Sequence, residues 1–168
     1  TATTYGVGEL IAHAVDSGCR KILLGLGGSA TNDGGCGCAA ALGIRFYDAD
    51  GQSFVPVGDT LGRIARIDTA KAEALLRSVE ITVMCDVTNP LYGPTGAAYV
   101  FAPQKGADAE KVKSLDAGLR HFGDVIRSQL GIDVSRMPGA GAAGGMGAGC
   151  VALLGGMIQS GIDAVLDV

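Results

Sequence analysis

The chain has 168 residues, 48% of them apolar and 18% charged, with a net charge of −4. That is enough for one domain with its own core, and the composition is that of a folded protein rather than a disordered one. No Lys/Arg run or basic stripe appears, which argues against a nucleic-acid partner, and no window of roughly 18 apolar residues offers a membrane span.

In chain order, Tyr5 to Ser17 carries Val7, Leu10, Ile11 and Ala14 at helical spacing, with Gly18 as the stop. Lys21 to Leu26 is a short apolar run and predicts a buried strand. A glycine-rich loop follows, then a small-residue helix through Ala39–Leu42 that Gly43 ends. Ile44 to Tyr47 alternates as a strand does, and Asp48-Ala49-Asp50-Gly51 reads as a turn. Gly58 to Arg66 gives no clear pattern. Thr69 to Leu76 predicts a helix, and Glu80 to Cys85 a second buried strand. Asp86 to Gly106 is a long polar stretch with Gly and Pro. Ala109 to Leu130 predicts the longest helix, with Val112, Leu115, Leu119, Phe122, Val125, Ile126 and Leu130 on one face. A glycine-rich loop, Met137 to Gly147, leads into an apolar helix from about Gly147 to Met157. Residues 163–168 read as a strand cut off without a turn. With the absence of an initial Met, this suggests a segment of something longer. The alternation predicts one α/β domain, a mixed, largely parallel sheet with flanking helices and long glycine-rich loops.

Glycine is in excess, 28 of 168 residues, and clusters in a few loops rather than at every third position. Gly25-Leu26-Gly27-Gly28-Ser29-Ala30-Thr31-Asn32-Asp33-Gly34-Gly35 stands between a strand and a helix. Backbone N–H groups there can cradle an anion, with Ser29, Thr31 and Asn32 adding short polar groups. Asp33 suits a Mg²⁺ contact or a hydroxyl to be oriented. The loop has no lysine, so it is not a P-loop. Gly25, Gly27 and Ala30 satisfy a loose dinucleotide fingerprint with Asp48 or Asp50 beyond, although the loop runs on where a helix should begin. A tight turn without ligand is the plain alternative.

Asp86, in Cys85-Asp86-Val87-Thr88-Asn89-Pro90-Leu91, falls just past a strand, where parallel sheets bind ligands; an Asx turn or helix cap is the alternative. Lys105, in Pro103-Gln104-Lys105-Gly106, is either a solvated lysine or a cation for a phosphoryl group. Pro138 to Ala148 offers only backbone and reads as packing or a backbone contact. The five cysteines, Cys19, Cys36, Cys38, Cys85 and Cys150, lack disulfide or zinc spacing and read as small packing residues in a reducing cytoplasm.

Taken together, Thr4–Ile11, Gly27–Gly35, Cys85–Leu91, Pro103–Ala107 and Pro138–Gly145 resemble the bacterial glycerate kinase family, in its order and at similar spacing. The resemblance implies a two-domain α/β enzyme more than twice this length. One domain would be flavodoxin-like, and this chain would be mostly the domain inserted into it. It implies ATP and Mg²⁺ as cofactors and glycerate as substrate, with phosphorylation at the 2-position favoured. On this reading Asp33, Asp86 and Lys105 are catalytic, and Asp33 or Asp86 holds Mg²⁺. Gly27, Gly28, Ser29, Thr31, Asn32 and Asn89 bind substrate or phosphate. An NAD(P)-dependent oxidoreductase and a non-catalytic ligand-binding domain are the alternatives, and the sequence leaves oligomeric state and pathway open.

Overall fold

A computed structural model describes residues 2–161. The order of elements is α1 (Tyr5–Asp16), β1 (Lys21–Gly25), α2 (Cys36–Ala41), β2 (Arg45–Tyr47), β3 (Ser53–Phe54), a 3₁₀ turn at Gly58–Arg63, β4 (Arg66–Asp68), α3 (Ala70–Leu76), β5 (Glu80–Met84), α4 (Ala97–Phe101), a 3₁₀ turn at Pro103–Lys105, α5 (Ala109–Leu130), α6 (Ala142–Leu154) and β6 (Met157–Gln159). Two three-stranded sheets result. One is parallel in the order β1-β5-β6, and the other is antiparallel in the order β3-β2-β4. The α/β expectation holds, and the short antiparallel sheet is what makes it mixed. The stretch 163–168 lies outside the described residues.

β5 is central and buried, as its apolar run predicts, with Ile81 and Val83 in the core. β1 is not buried. It is an edge strand among the described residues, and Leu23 is 50% exposed. In register, Leu23 lies beside Thr82, which lies beside Met157, so these three share one sheet face. Leu23 and Met157, the latter at 54% exposure, are thus open on the two flanking strands, while Thr82 between them is buried. Strand periodicity reports apolar character, not whether a partner layer is present.

The α1 face is displaced from the predicted one. Gly8, Ile11 and Val15 are buried, and Leu10 is exposed. The reason is a close crossing of α1 on α2. A Cβ on Gly8 would come 2.3 Å from the Cys38 carbonyl oxygen, so the contact is centred on a glycine that carries no hydropathy signal. α6 makes the same kind of approach, since a Cβ on Gly149 would lie 2.2 Å from the Gly34 carbonyl oxygen. The chain's glycine excess is thus partly a packing requirement.

α5 follows its sequence. Asp108 caps its N-terminus by accepting from the Lys111 amide at 2.8 Å, and Gly131 ends it at φ 71°. Its apolar stripe packs on α4 and on the 58–63 turn. The apolar helix predicted to reach Met157 stops at Leu154. Gly155, at φ 67°, turns the chain, and the next residues become β6. α4 is a five-residue helix inside the stretch predicted as polar loop.

Candidate functional site

β1 and β5 run parallel with Gly25 beside Met84, so the loops that follow them leave from one edge of the sheet. The loop after β1 is held by a carboxylate. Asp33 is fully buried. Its Oδ2 accepts from the Thr4 amide at 2.8 Å, the Thr4 hydroxyl at 2.9 Å, the Gly37 amide at 3.3 Å and the Thr3 hydroxyl at 3.4 Å. Its Oδ1 accepts from the Gly35 amide at 3.2 Å. The Thr4 hydroxyl in turn accepts from the Cys38 amide at 2.9 Å. Asp33 therefore ties the start of α1 to the start of α2. Both of its oxygens thus accept hydrogen bonds from the chain itself.

Asp86 differs. It is exposed at the end of β5, and its Oδ1 accepts from the Gly161 amide at 2.9 Å. Among the described residues Asp33 and Asp86 share no hydrogen-bond partner. Asp86 lines a cleft of about 730 Å³ with Cys85, Thr88, Pro138 and Met157. The neighbouring Val87 lines another, smaller cleft with Gly27, Gly28, Ser29 and Lys105.

Lys105 joins the loops. Its Nζ donates to the Ser29 hydroxyl at 3.1 Å and to the Thr31 carbonyl at 2.5 Å, across more than seventy residues of sequence. It is half-buried. Burial pulls its pKa below the ordinary lysine value, and the negative charge of Asp33 works against that fall. The smaller cleft, about 150 Å³, is closed on another side by Ala142 and Ala143. Ala143 has φ 50° and begins a run of three left-handed residues with Gly144 and Gly145, before α6 proceeds as a regular helix. A non-glycine residue in that region is strained by roughly 1–2 kcal/mol.

Thr31 is buried, and its hydroxyl has no hydrogen-bond partner among the described residues; the same is true of the buried Oδ1 of Asn32. Asn89 uses its amide to donate to the Thr95 carbonyl at 2.8 Å, so it closes its own loop. Asp116 was not singled out by the sequence reading. It is 7% exposed on α5, accepts from the Gly93 amide at 2.7 Å and has Arg120 at 3.9 Å. A carboxylate beside Leu115 on an apolar stripe was the available signal. The dinucleotide reading is not supported locally, because α2 starts only at Cys36, six residues beyond Ala30.

Cys36, Cys38 and Cys150 are buried in the core, as the packing reading expects. Burial, and secondarily the charge of Asp33, pushes the Cys38 thiol up to about 12 and raises Cys36 as well. Cys150 is raised chiefly by burial. Among the described residues no helix is long and apolar enough to cross a membrane.

The comparisons with known proteins bear on the family and the fold. The chain is 52% identical over 165 residues to the glycerate kinase of Bacillus cereus, covering 98% of this chain and 43% of that protein. It is 47% identical over 163 residues to the glycerate 2-kinase of Escherichia coli K12, with 97% and 43% covered. A crystal structure from Salmonella typhimurium LT2, carrying the name glycerate kinase 2, matches with a TM-score of 0.94 at 47% identity, covering 98% of this chain and 44% of that one. The chain thus spans less than half the length of these relatives. The model of the glycerate kinase family matches residues 1–168, and the chain belongs to that family.

Proposed function

We propose that this chain is the phosphate- and acceptor-handling part of a glycerate kinase, which moves a phosphoryl group from ATP to a hydroxyl of D-glycerate, the 2-position being favoured. On this reading the 168 residues are mostly the inserted domain of a two-domain enzyme, and its home is the cytoplasm. The observation that carries the reading is Lys105, whose ammonium group joins the loop after β1 through Ser29 and Thr31.

Backbone N–H groups of Gly27, Gly28 and Ser29 would receive phosphate oxygens, and Lys105 would offset their charge. Phosphoryl transfer rests on positioning and electrostatics, so no covalent nucleophile is required. Mg²⁺, when bound, supplies charge neutralisation across the phosphates. Asp33 does not fit it, because both of its oxygens already accept hydrogen bonds. Asp86 fits it better, because its Oδ2 has no hydrogen bond among the described residues and Mg²⁺ commonly takes only one or two carboxylates. Alternatively, Asp86 orients the acceptor hydroxyl. Asn32 and Thr31 offer buried polar atoms to a ligand.

The test uses the full-length chain that contains this segment, with ATP, Mg²⁺ and D-glycerate. The product is identified by ³¹P NMR and by whether enolase consumes it, since enolase takes the 2-phosphate. Glycerate-dependent turnover giving the 2-phosphate is expected, and Lys105→Met should lower kcat/KM by about 100-fold, as loss of a charge aimed at the transferring group does. No turnover with glycerate would overturn the reading, and a 3-phosphate product would overturn the choice of hydroxyl.

A further inference from the structure

Lys105 lines a second cleft as well. It holds about 170 Å³ and is bounded by Asn32, Gly58, Asp59, Lys105 and Lys111. It is smaller than the roughly 300–1,000 Å³ of pockets for drug-sized ligands, so it suits a molecule of a few heavy atoms. Its lining is closely packed at Gly58. A Cβ on Gly58 would lie 2.8 Å from Leu115 Cδ2 and 3.2 Å from the Asn32 carbonyl oxygen.

Positive and donor groups converge there. Lys105 and Lys111 both line the cleft, Lys105 donating to Ser29 and Thr31 and Lys111 paired with Asp59. The 22-residue α5 begins at Ala109, two residues beyond the lining residue Ala107, but its N-terminus is already capped by the Asp108 carboxylate, so the lysines and not the helix dipole supply the positive charge. The Asn32 carboxamide makes no hydrogen bond among the described residues, although its Oδ1 is buried. Turning the amide exchanges its oxygen and nitrogen, so a buried hydrogen-bonding position remains in either orientation. The acid on the lining is Asp59, which is paired with Lys111. Both partners are close to half exposed, and such a pair is weak enough to be exchanged for a ligand's carboxylate.

We propose that this cleft seats the carboxylate of the acceptor hydroxy acid, with Lys111 as its counter-ion and Asn32 bonded to a neighbouring hydroxyl. Lys105 then stands between the carboxylate seat and the phosphate-holding loop. The inference rests on the kinase reading above and adds what that reading leaves open, namely how an acid is chosen over a neutral polyol.

The experiment compares D-glycerate with its neutral amide, glyceramide, in the full-length chain. Lys111→Met should raise KM for glycerate by about 10- to 100-fold, the scale of one charge-assisted contact, while KM for ATP and the kinetics with glyceramide move by less than about twofold. Asp59→Asn, which removes the competing carboxylate, should lower KM for glycerate. A glycerate KM within about twofold of wild type in Lys111→Met overturns the proposal. So does an equal loss with glyceramide or ATP, which would mean general damage. If the wild type phosphorylates no glycerate at all, the kinase reading fails first and this inference falls with it.

Discussion

Asn at position 86 is expected to lower kcat with glycerate by about 100-fold and leave folding intact, whereas Asn at position 33 is expected to unfold the protein more readily by about 3 kcal/mol. From the sequence alone the two substitutions look alike, since each replaces a carboxylate by its near-isostere after a strand. The structure separates them by what surrounds each carboxylate. Asp86 is exposed and accepts one backbone hydrogen bond, so its replacement disturbs little of the fold. Asp33 has no exposed surface and accepts from three amides and two hydroxyls. An Asn there turns an NH₂ group toward donors and leaves them unpaired in a buried site. Each such loss costs roughly 1–3 kcal/mol, and relief elsewhere brings the sum back to about 3 kcal/mol. For a domain of this size that lowers Tm by about 6–12 °C. Urea unfolding and steady-state kinetics on both variants of the full-length chain check this. Equal stability of Asp33→Asn and wild type would mean that the Asp33 cluster contributes nothing to the fold, and near-wild-type turnover of Asp86→Asn would remove Asp86 from the mechanism.

The second large effect is expected of the 168-residue segment alone, which should show no measurable glycerate kinase activity. The segment corresponds to 43% of the length of the Bacillus cereus and Escherichia coli relatives. Phosphoryl transfer depends on holding donor, metal and acceptor together, and that proximity supplies roughly 7–11 kcal/mol of the barrier. On the proposed reading the loop at 27–29 and Lys105 are still expected to attract an anion weakly, because backbone sites are local. Purified segment in a coupled assay with ATP, Mg²⁺ and glycerate decides this. Turnover within about tenfold of the full-length chain would show that the site needs nothing further, against the proximity argument.

How far these features could be read beforehand depends on what each one rests on. The α5 stripe was legible because seven apolar residues repeat at helical spacing over 22 residues and one face is buried. β5 was legible as a buried strand because its apolar run is short and unbroken by charge after Glu80, and three successive residues are indeed buried. β6 was not, because three residues after Gly155-Gly156 carry too little pattern to separate a strand from the end of an apolar helix. α1 was placed correctly but turned, since a glycine forms its contact. At the site, the glycine-rich loop and Lys105 were each legible as motifs. Their meeting was not, because it is a tertiary contact between residues 29 and 105. Nor could the saturation of Asp33 be foreseen, as four of its five donors belong to Thr3, Thr4 and Gly37, placed by the packing of α1 on α2. Lys111 drew no notice because a lysine in the first turns of a helix is ordinarily solvent-facing.

The sealed cysteines give the chain a chemical reporter of its own. Cys19 is exposed, whereas Cys36, Cys38 and Cys150 are enclosed and hold their protons far into the alkaline range. A thiol reagent added under native conditions therefore meets Cys19 at once and the enclosed three only when the structure around α2 and α6 opens, while Cys85, buried on the lining of the cleft beside Asp86, is told apart by its own labelled peptide. α2 is the helix that the Gly27–Gly35 loop leads into and that Asp33 fastens. If a small anion settles on that loop, as proposed, it should stabilise the closed form and slow the second phase of labelling as its occupancy rises. Ligand binding can then be followed by mass in the absence of any turnover, with no foreign label introduced.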